Sequence, residues 1–120
     1  MNIKTIVSIL SVLAVAAGCS TDPKQSLEDL NMPIIQTKYT ADPAPIVIGD
    51  TLYLYTSHDE DDGENFHMKD WLLYTTTDMV NWQDRGAVAG LRNFKWYRNT
   101  NGAWAQQVVE RNGKFYMYCP

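Results

Sequence analysis

The sequence predicts an all-β fold assembled from propeller-type blades. Three observations predict it: two short hairpins with recognisable turns, an internal repeat that relates them, and no run after residue 30 that keeps a 3.6-residue apolar period over three turns. The first hairpin is Ile46-Val47-Ile48, then Gly49-Asp50, then Thr51-Leu52-Tyr53-Leu54-Tyr55-Thr56. A Gly-x pair between β-branched and aromatic runs is a type II′ signal. The second is Val108-Val109-Glu110-Arg111, Asn112-Gly113 and Lys114-Phe115-Tyr116-Met117-Tyr118. Asn-Gly suits a type I′ turn, which needs positive φ at both central residues. Between the hairpins, Trp71–Thr76 reads as a strand, Asp78–Trp82 as its turn and Gln83–Val88 as the returning strand.

The repeat sets the architecture. Residues 52–55 match 115–118 at an offset of 63, and Ile46-Val47 match Val108-Val109 at an offset of 62, which implies one extra turn residue. Units of this length, each with about four short strands, are the mark of a propeller blade. The strands are almost continuously apolar, as expected where sheets pack face to face and both sides of an inner strand are covered. Propellers close with about four to eight blades. The 120 residues therefore hold fewer than two blades of a larger fold, and Tyr116 and Tyr118 fall beside an unpaired edge.

Residues 1–18 read as an export signal. Lys4 supplies the positive end, and Ile6–Ala17 is an apolar run shorter than the roughly 20 residues of a membrane span. The run ends in Ala16-Ala17-Gly18-Cys19. Small residues before a cysteine resemble a bacterial lipobox, which implies cleavage before Cys19, lipidation of Cys19, and an exported protein anchored in the outer membrane through that lipid. Residues 19–36 then form a polar tether, and residues 37–120 the folded part. With Cys19 lipidated, Cys119 is the one remaining thiol.

A net charge of −4 with no Lys/Arg block argues against a nucleic-acid partner. Seven Tyr and four Trp argue against a disordered chain.

Candidate chemistry begins at Tyr39-Thr40-Ala41-Asp42-Pro43-Ala44-Pro45. The two prolines fix the backbone and place Asp42 immediately before the first inner strand, at its entry rather than its centre. From there a carboxylate points into a propeller's central cavity, where it can serve as a general base; as a local feature it equally caps a turn. Trp104, at an offset of 62 from Asp42, has two readings: a rim indole that stacks on a sugar, or a wedge between blades. His58-Asp59-Glu60-Asp61-Asp62 is an acidic loop. Sugar-hydroxyl contacts from His58 or Asp59, a Ca²⁺ site and a plainly solvated loop all fit it; the spacing matches a Ca²⁺ loop only loosely. No second histidine lies at metal spacing from His67, so no metal ligand is assigned. Asp78 and Trp82 read as turn acceptor and apolar plug.

In order along the chain, Ala41-Asp42-Pro43-Ala44-Pro45, Tyr53–Glu60, Met68-Lys69-Asp70-Trp71, Thr77–Trp82 and Trp104-Ala105-Gln106-Gln107-Val108 resemble the N-terminal part of glycoside hydrolase family 43. The resemblance covers residues 37–120. It implies a five-bladed β-propeller in the full-length protein, of which about the first one to two blades are present here. It also implies an inverting β-xylosidase or α-L-arabinofuranosidase on plant arabinoxylan or arabinan. Asp42 matches the family's general base. The general acid, a Glu, and a second Asp that keeps its pKa up lie in later blades, so this chain alone is expected to be inactive. Glu110, in a hairpin strand, does not take the acid's place. Gln106 stands where many relatives carry Pro. No cofactor is implied, and a structural Ca²⁺ in the full-length protein has no assignable ligands here. A non-catalytic glycan-binding lipoprotein on the same fold is the other reading.

Overall fold

The computed structural model describes residues 32–120. The signal segment, Cys19 and most of the tether lie outside the described residues. Strands β1 (Tyr39–Ile48), β2 (Thr51–Asp59), β3 (Met68–Thr76) and β4 (Gln83–Gly90) form an antiparallel meander in that order. A 3₁₀ turn, Leu91–Asn93, and an irregular segment lead to β5 (Gln107–Arg111) and β6 (Lys114–Tyr118), a separate antiparallel pair. The fold is all-β, with one complete four-stranded unit and the first hairpin of another.

The turns obey their sequences. Gly49 sits at φ 63 and Asp50 is not left-handed, the type II′ pattern, while Asn112 and Gly113 sit at φ 55 and 72, the type I′ pattern. Both turns have two residues, because Ile48 pairs with Thr51 and Arg111 with Lys114. The extra turn residue expected from the repeat is not there. The two turns instead align at an offset of 63, Ile48 with Arg111 and Thr51 with Lys114, and β1 separately carries a bulge between Ala41 and Ala44. At the Asp78 turn, the carboxylate accepts the amides of Val80 at 2.9 Å and Asn81 at 2.7 Å, and Trp82 folds back onto the core as expected.

The third strand starts at Met68, three residues before the expected Trp71. Its extension is held from a distance. The Met68 amide donates to Asn101 Oδ1 at 2.8 Å, and its carbonyl accepts the amides of Gly102 and Ala103 at 3.0 Å. No local pattern reports partners more than thirty residues away.

The inner strands bury side chains on both faces. On one, Leu54, Leu72 and Tyr74 pack with Ile35, Leu52 and Trp82. On the other, Met68, Trp71 and Ala103 pack with Ala41 and Ala89 and with Met117 and Cys119 at the second hairpin. Trp71, 1% exposed, is the largest buried side chain. An indole removes roughly 200 Å² from water, and at about 25 cal/mol per Å² its burial contributes about 5 kcal/mol as an upper figure. The second hairpin leaves Val109, Phe115, Tyr116 and Tyr118 exposed.

Candidate active site

In a meander, the start of β1, the end of β2, the start of β3 and the end of β4 lie at one end of the sheet. The segment from Leu91 to Gln106 leaves and arrives at that same end. Asp42, Ser57, His58, Asp70, Gly90 and Trp104 therefore share one rim.

Asp42 lies within β1, in its bulge, rather than ahead of the strand as expected. Ala41 pairs with Ser57 and Ala44 with Tyr55, so Asp42 and Pro43 together face the single residue Thr56. Asp42 takes φ 51, a left-handed conformation that Asp tolerates better than most side chains. The bulge frees its carboxylate from the alternation of the strand. The buried Ser57 hydroxyl then donates to Asp42 Oδ2 at 2.9 Å, and the residue remains exposed to solvent. The bulge accommodates Pro43, and Pro45 is tolerated because β1 is an edge strand of its sheet.

His58 Nδ1 lies 2.8 Å from Asp70 Oδ1 and 3.8 Å from Glu60 Oε1, and Lys69 Nζ lies 3.2 Å from Glu60 Oε2. The four groups make an ion-pair and hydrogen-bond network across the ends of β2 and β3. The ligand atoms of His58, Glu60 and Asp70 lie within 4.8 Å of one another. That donor set includes a nitrogen and has an ammonium against one carboxylate, which does not match the all-oxygen shell of six to eight ligands that Ca²⁺ takes. Asp59 turns into the β2–β3 loop instead, where its Oδ1 accepts the His67 amide at 2.9 Å. The two candidates for sugar-hydroxyl contact are therefore divided, His58 in the rim network and Asp59 in a loop clamp.

Trp104 is 41% exposed. Its backbone carbonyl accepts the Trp71 indole N–H at 2.6 Å, and its own Nε1 lies near Gly102. Trp104 lies ahead of β5, which begins at Gln107, so no strand pairing relates it to Asp42. Trp104 keeps its place on the rim because the Trp71 hydrogen bond holds its backbone there. Gln106 is 5% exposed, and neither amide atom has a partner among the described residues.

Sequence reasoning did not find Ser57, Asp70 or the Trp71–Trp104 bond. Ser57 carried no local signal: it sits opposite Ala41, just before the bulge, a place that only the pairing of β1 with β2 reveals.

Residues 30–120 match glycosyl hydrolases family 43. The chain belongs to this family. A xylosidase/arabinosidase of Bacteroides ovatus is 35% identical to it over 96 residues, 72% of this chain and 29% of that protein. Xylosidase/arabinosidase 43A of Humicola insolens is 30% identical over 98 residues, 73% of this chain and 29% of that protein. Among solved structures, the GH43_1 enzyme from Xanthomonas citri complexed with xylotriose has a TM-score of 0.65 at 36% identity, over 74% of this chain and 26% of that one. The family-43 chain thus spans under a third of the length of these relatives.

Proposed function

We propose that this chain supplies the first part of a glycosidase domain that releases xylose or arabinose from plant arabinoxylan or arabinan, with inversion at the anomeric carbon. The observation that carries the reading is Asp42, lifted out of the strand alternation by the bulge and held by the Ser57 hydroxyl at an open rim. The named activities of the relatives and the xylotriose bound to the Xanthomonas citri enzyme support the substrate class.

In this reading Asp42 is the general base. It takes a proton from a water that attacks the anomeric carbon on the face opposite the leaving group. The Ser57 hydrogen bond keeps the carboxylate aimed at that water. Inversion requires acid and base about 6.5–9.5 Å apart, with room for the water between. The acid, and the carboxylate that tunes it, belong to a protein of the relatives' length folded as a five-bladed propeller. Trp104 covers an apolar sugar face, and the His58–Asp70 pair borders the same rim. Residues 1–18 direct export, Cys19 carries the lipid that anchors the protein in the outer membrane, and the tether of residues 19–36 ends against the first sheet, where Ile35 packs on the Leu54, Leu72 and Tyr74 cluster.

The stereochemistry tests this. Proton NMR of the first turnover of an aryl β-xyloside or α-L-arabinofuranoside by the complete gene product is expected to show the anomer opposite in configuration to the substrate. A first product of retained configuration would remove Asp42 from the role of base to an attacking water.

A further inference from the structure

An imidazole and two carboxylates converge where β2 ends and β3 begins. His58 Nδ1 lies 2.8 Å from Asp70 Oδ1 and 3.8 Å from Glu60 Oε1. The strand register brings them together. Ser57 pairs with Trp71 and Asp59 with Met68, so His58 alone faces both Lys69 and Asp70. Glu60 follows directly after β2, and its amide donates to the His67 carbonyl at 3.0 Å. Asp59 Oδ1 accepts the His67 amide, which closes the same loop from the other side. The three side chains of the cluster are 16% (His58), 20% (Glu60) and 22% (Asp70) exposed, so the group is largely withdrawn from water.

The spacing suits a small ion. Tetrahedral ligands about 2.0–2.1 Å from Zn²⁺ stand roughly 3.3–3.5 Å from one another. The separations of 2.8 and 3.8 Å bracket that value, so a movement of about 0.5 Å at each seats the ion. The donors choose among ions. One imidazole nitrogen with two carboxylates suits Zn²⁺ and its neighbours, whereas Ca²⁺ takes six to eight oxygens. The surrounding charge draws a cation in. Residues 59–70 carry six carboxylates against one ammonium, that of Lys69. Lys69 already answers this field: its Nζ lies 3.2 Å from Glu60 Oε2, on a side chain 43% exposed. An ammonium on a long, solvated stem leaves for water at little cost when a divalent ion takes its place.

We propose that His58, Glu60 and Asp70 form a binding site for one divalent transition ion of the Zn²⁺ class, which displaces the Lys69 ammonium and clamps the end of β2 to the start of β3. His58 binds through Nδ1 as the neutral imidazole, so its proton sits on Nε2 and its hydrogen bond to Asp70 is exchanged for a shared metal. Water completes the coordination shell. The site needs no substrate, and it stands or falls apart from the glycosidase reading.

The test is calorimetric titration of ZnCl₂, and of CaCl₂ in parallel, into the tag-free, chelator-treated complete gene product. His58→Ala, Glu60→Gln and Asp70→Asn are each expected to weaken Zn²⁺ binding at least tenfold while Ca²⁺ binding matches wild type. Lys69→Met, which removes the competing ammonium, is expected to tighten Zn²⁺ binding at least threefold. A loss of folding does not imitate a gain in affinity, so Lys69→Met decides the matter if the other variants fold poorly. No Zn²⁺ uptake by wild type, a Zn²⁺ affinity that His58→Ala leaves unchanged, a parallel loss of Ca²⁺ binding, or a Lys69→Met protein no tighter than wild type would overturn the site.

Discussion

The buried Ser57 hydroxyl donates a 2.9 Å hydrogen bond to Asp42 Oδ2 where the β1–β2 register slips. The bond joins the least exposed hydroxyl of β2 to an exposed carboxylate, so one element fixes the group and the other presents it. Ser57→Ala removes a donor without adding volume. A single hydrogen bond to a charged acceptor is worth about 1.5–3 kcal/mol, so Ser57→Ala in the complete gene product is expected to lower kcat on an aryl xyloside or arabinofuranoside at least tenfold. Ser57→Thr, which keeps the hydroxyl, is expected to recover part of the loss. Steady-state kinetics of the two variants check this.

Trp71 is the joint between the first sheet and the rim. It packs edge-on against Phe94 with ring centres 6.3 Å apart and donates its indole N–H to the Trp104 carbonyl. Trp71→Phe keeps most of the apolar volume but leaves that carbonyl unpaired, at a cost of about 1–3 kcal/mol. Trp71→Ala adds a cavity and is expected to cost about 3–5 kcal/mol. Denaturant unfolding of the complete protein should rank wild type above Phe and Phe above Ala.

How much of this was readable from the chain follows the range of the interactions. Both hairpin turns were legible, because Gly49 and Asn112-Gly113 declare their φ values locally. The Asp78 turn was legible for the same reason, through a carboxylate that bonds amides two and three residues on. The bulge at Asp42 was not. Its prolines were visible, but whether they precede a strand or interrupt one depends on pairing with Ser57 and Tyr55, which no local pattern carries. The first three residues of β3 were hidden likewise, since Asn101 and Ala103 hold them from the far end of the chain. Repeat arithmetic predicted an extra residue in the second turn, but both turns hold two residues, because matching Ile46-Val47 to Val108-Val109 sets the strands one place out of register.

The second hairpin carries a backbone prediction. Gly113 sits at φ 72 with open space around its Cα, so a methyl group would meet no neighbour there. Gly113→Ala therefore isolates the cost of the left-handed backbone, about 1–2 kcal/mol. A lower urea midpoint with an unchanged m-value in the complete protein would match this.

Acid should act first through Asp78 and Asp84. The Asn81 side chain, followed by the amides of Asn81 and Val80, holds the Asp78 carboxyl well below its ordinary value of 3.8. The Lys38 ammonium, at 2.9 Å, followed by the Gly86 amide, lowers Asp84 from the same value. Folded-state values below the unfolded ones mean that both groups stabilise the fold above about pH 4, and that the stabilisation is lost as pH falls through the folded values. Asp78→Ala is thus expected to lower Tm at pH 7 and to converge on wild type as pH drops from 4 toward 2. A gap in Tm that stays constant with pH would speak against this.

The most direct test of the account is Asp42→Asn in the complete gene product. The substitution keeps shape and the Ser57 hydrogen bond but removes the proton acceptor. General-base catalysis contributes about 10²–10⁴-fold, so kcat on p-nitrophenyl β-xyloside and α-L-arabinofuranoside is expected to fall by about that factor, with Tm and circular dichroism unchanged. A variant that folds normally and hydrolyses both substrates within tenfold of wild type would contradict the assignment of Asp42 as the general base.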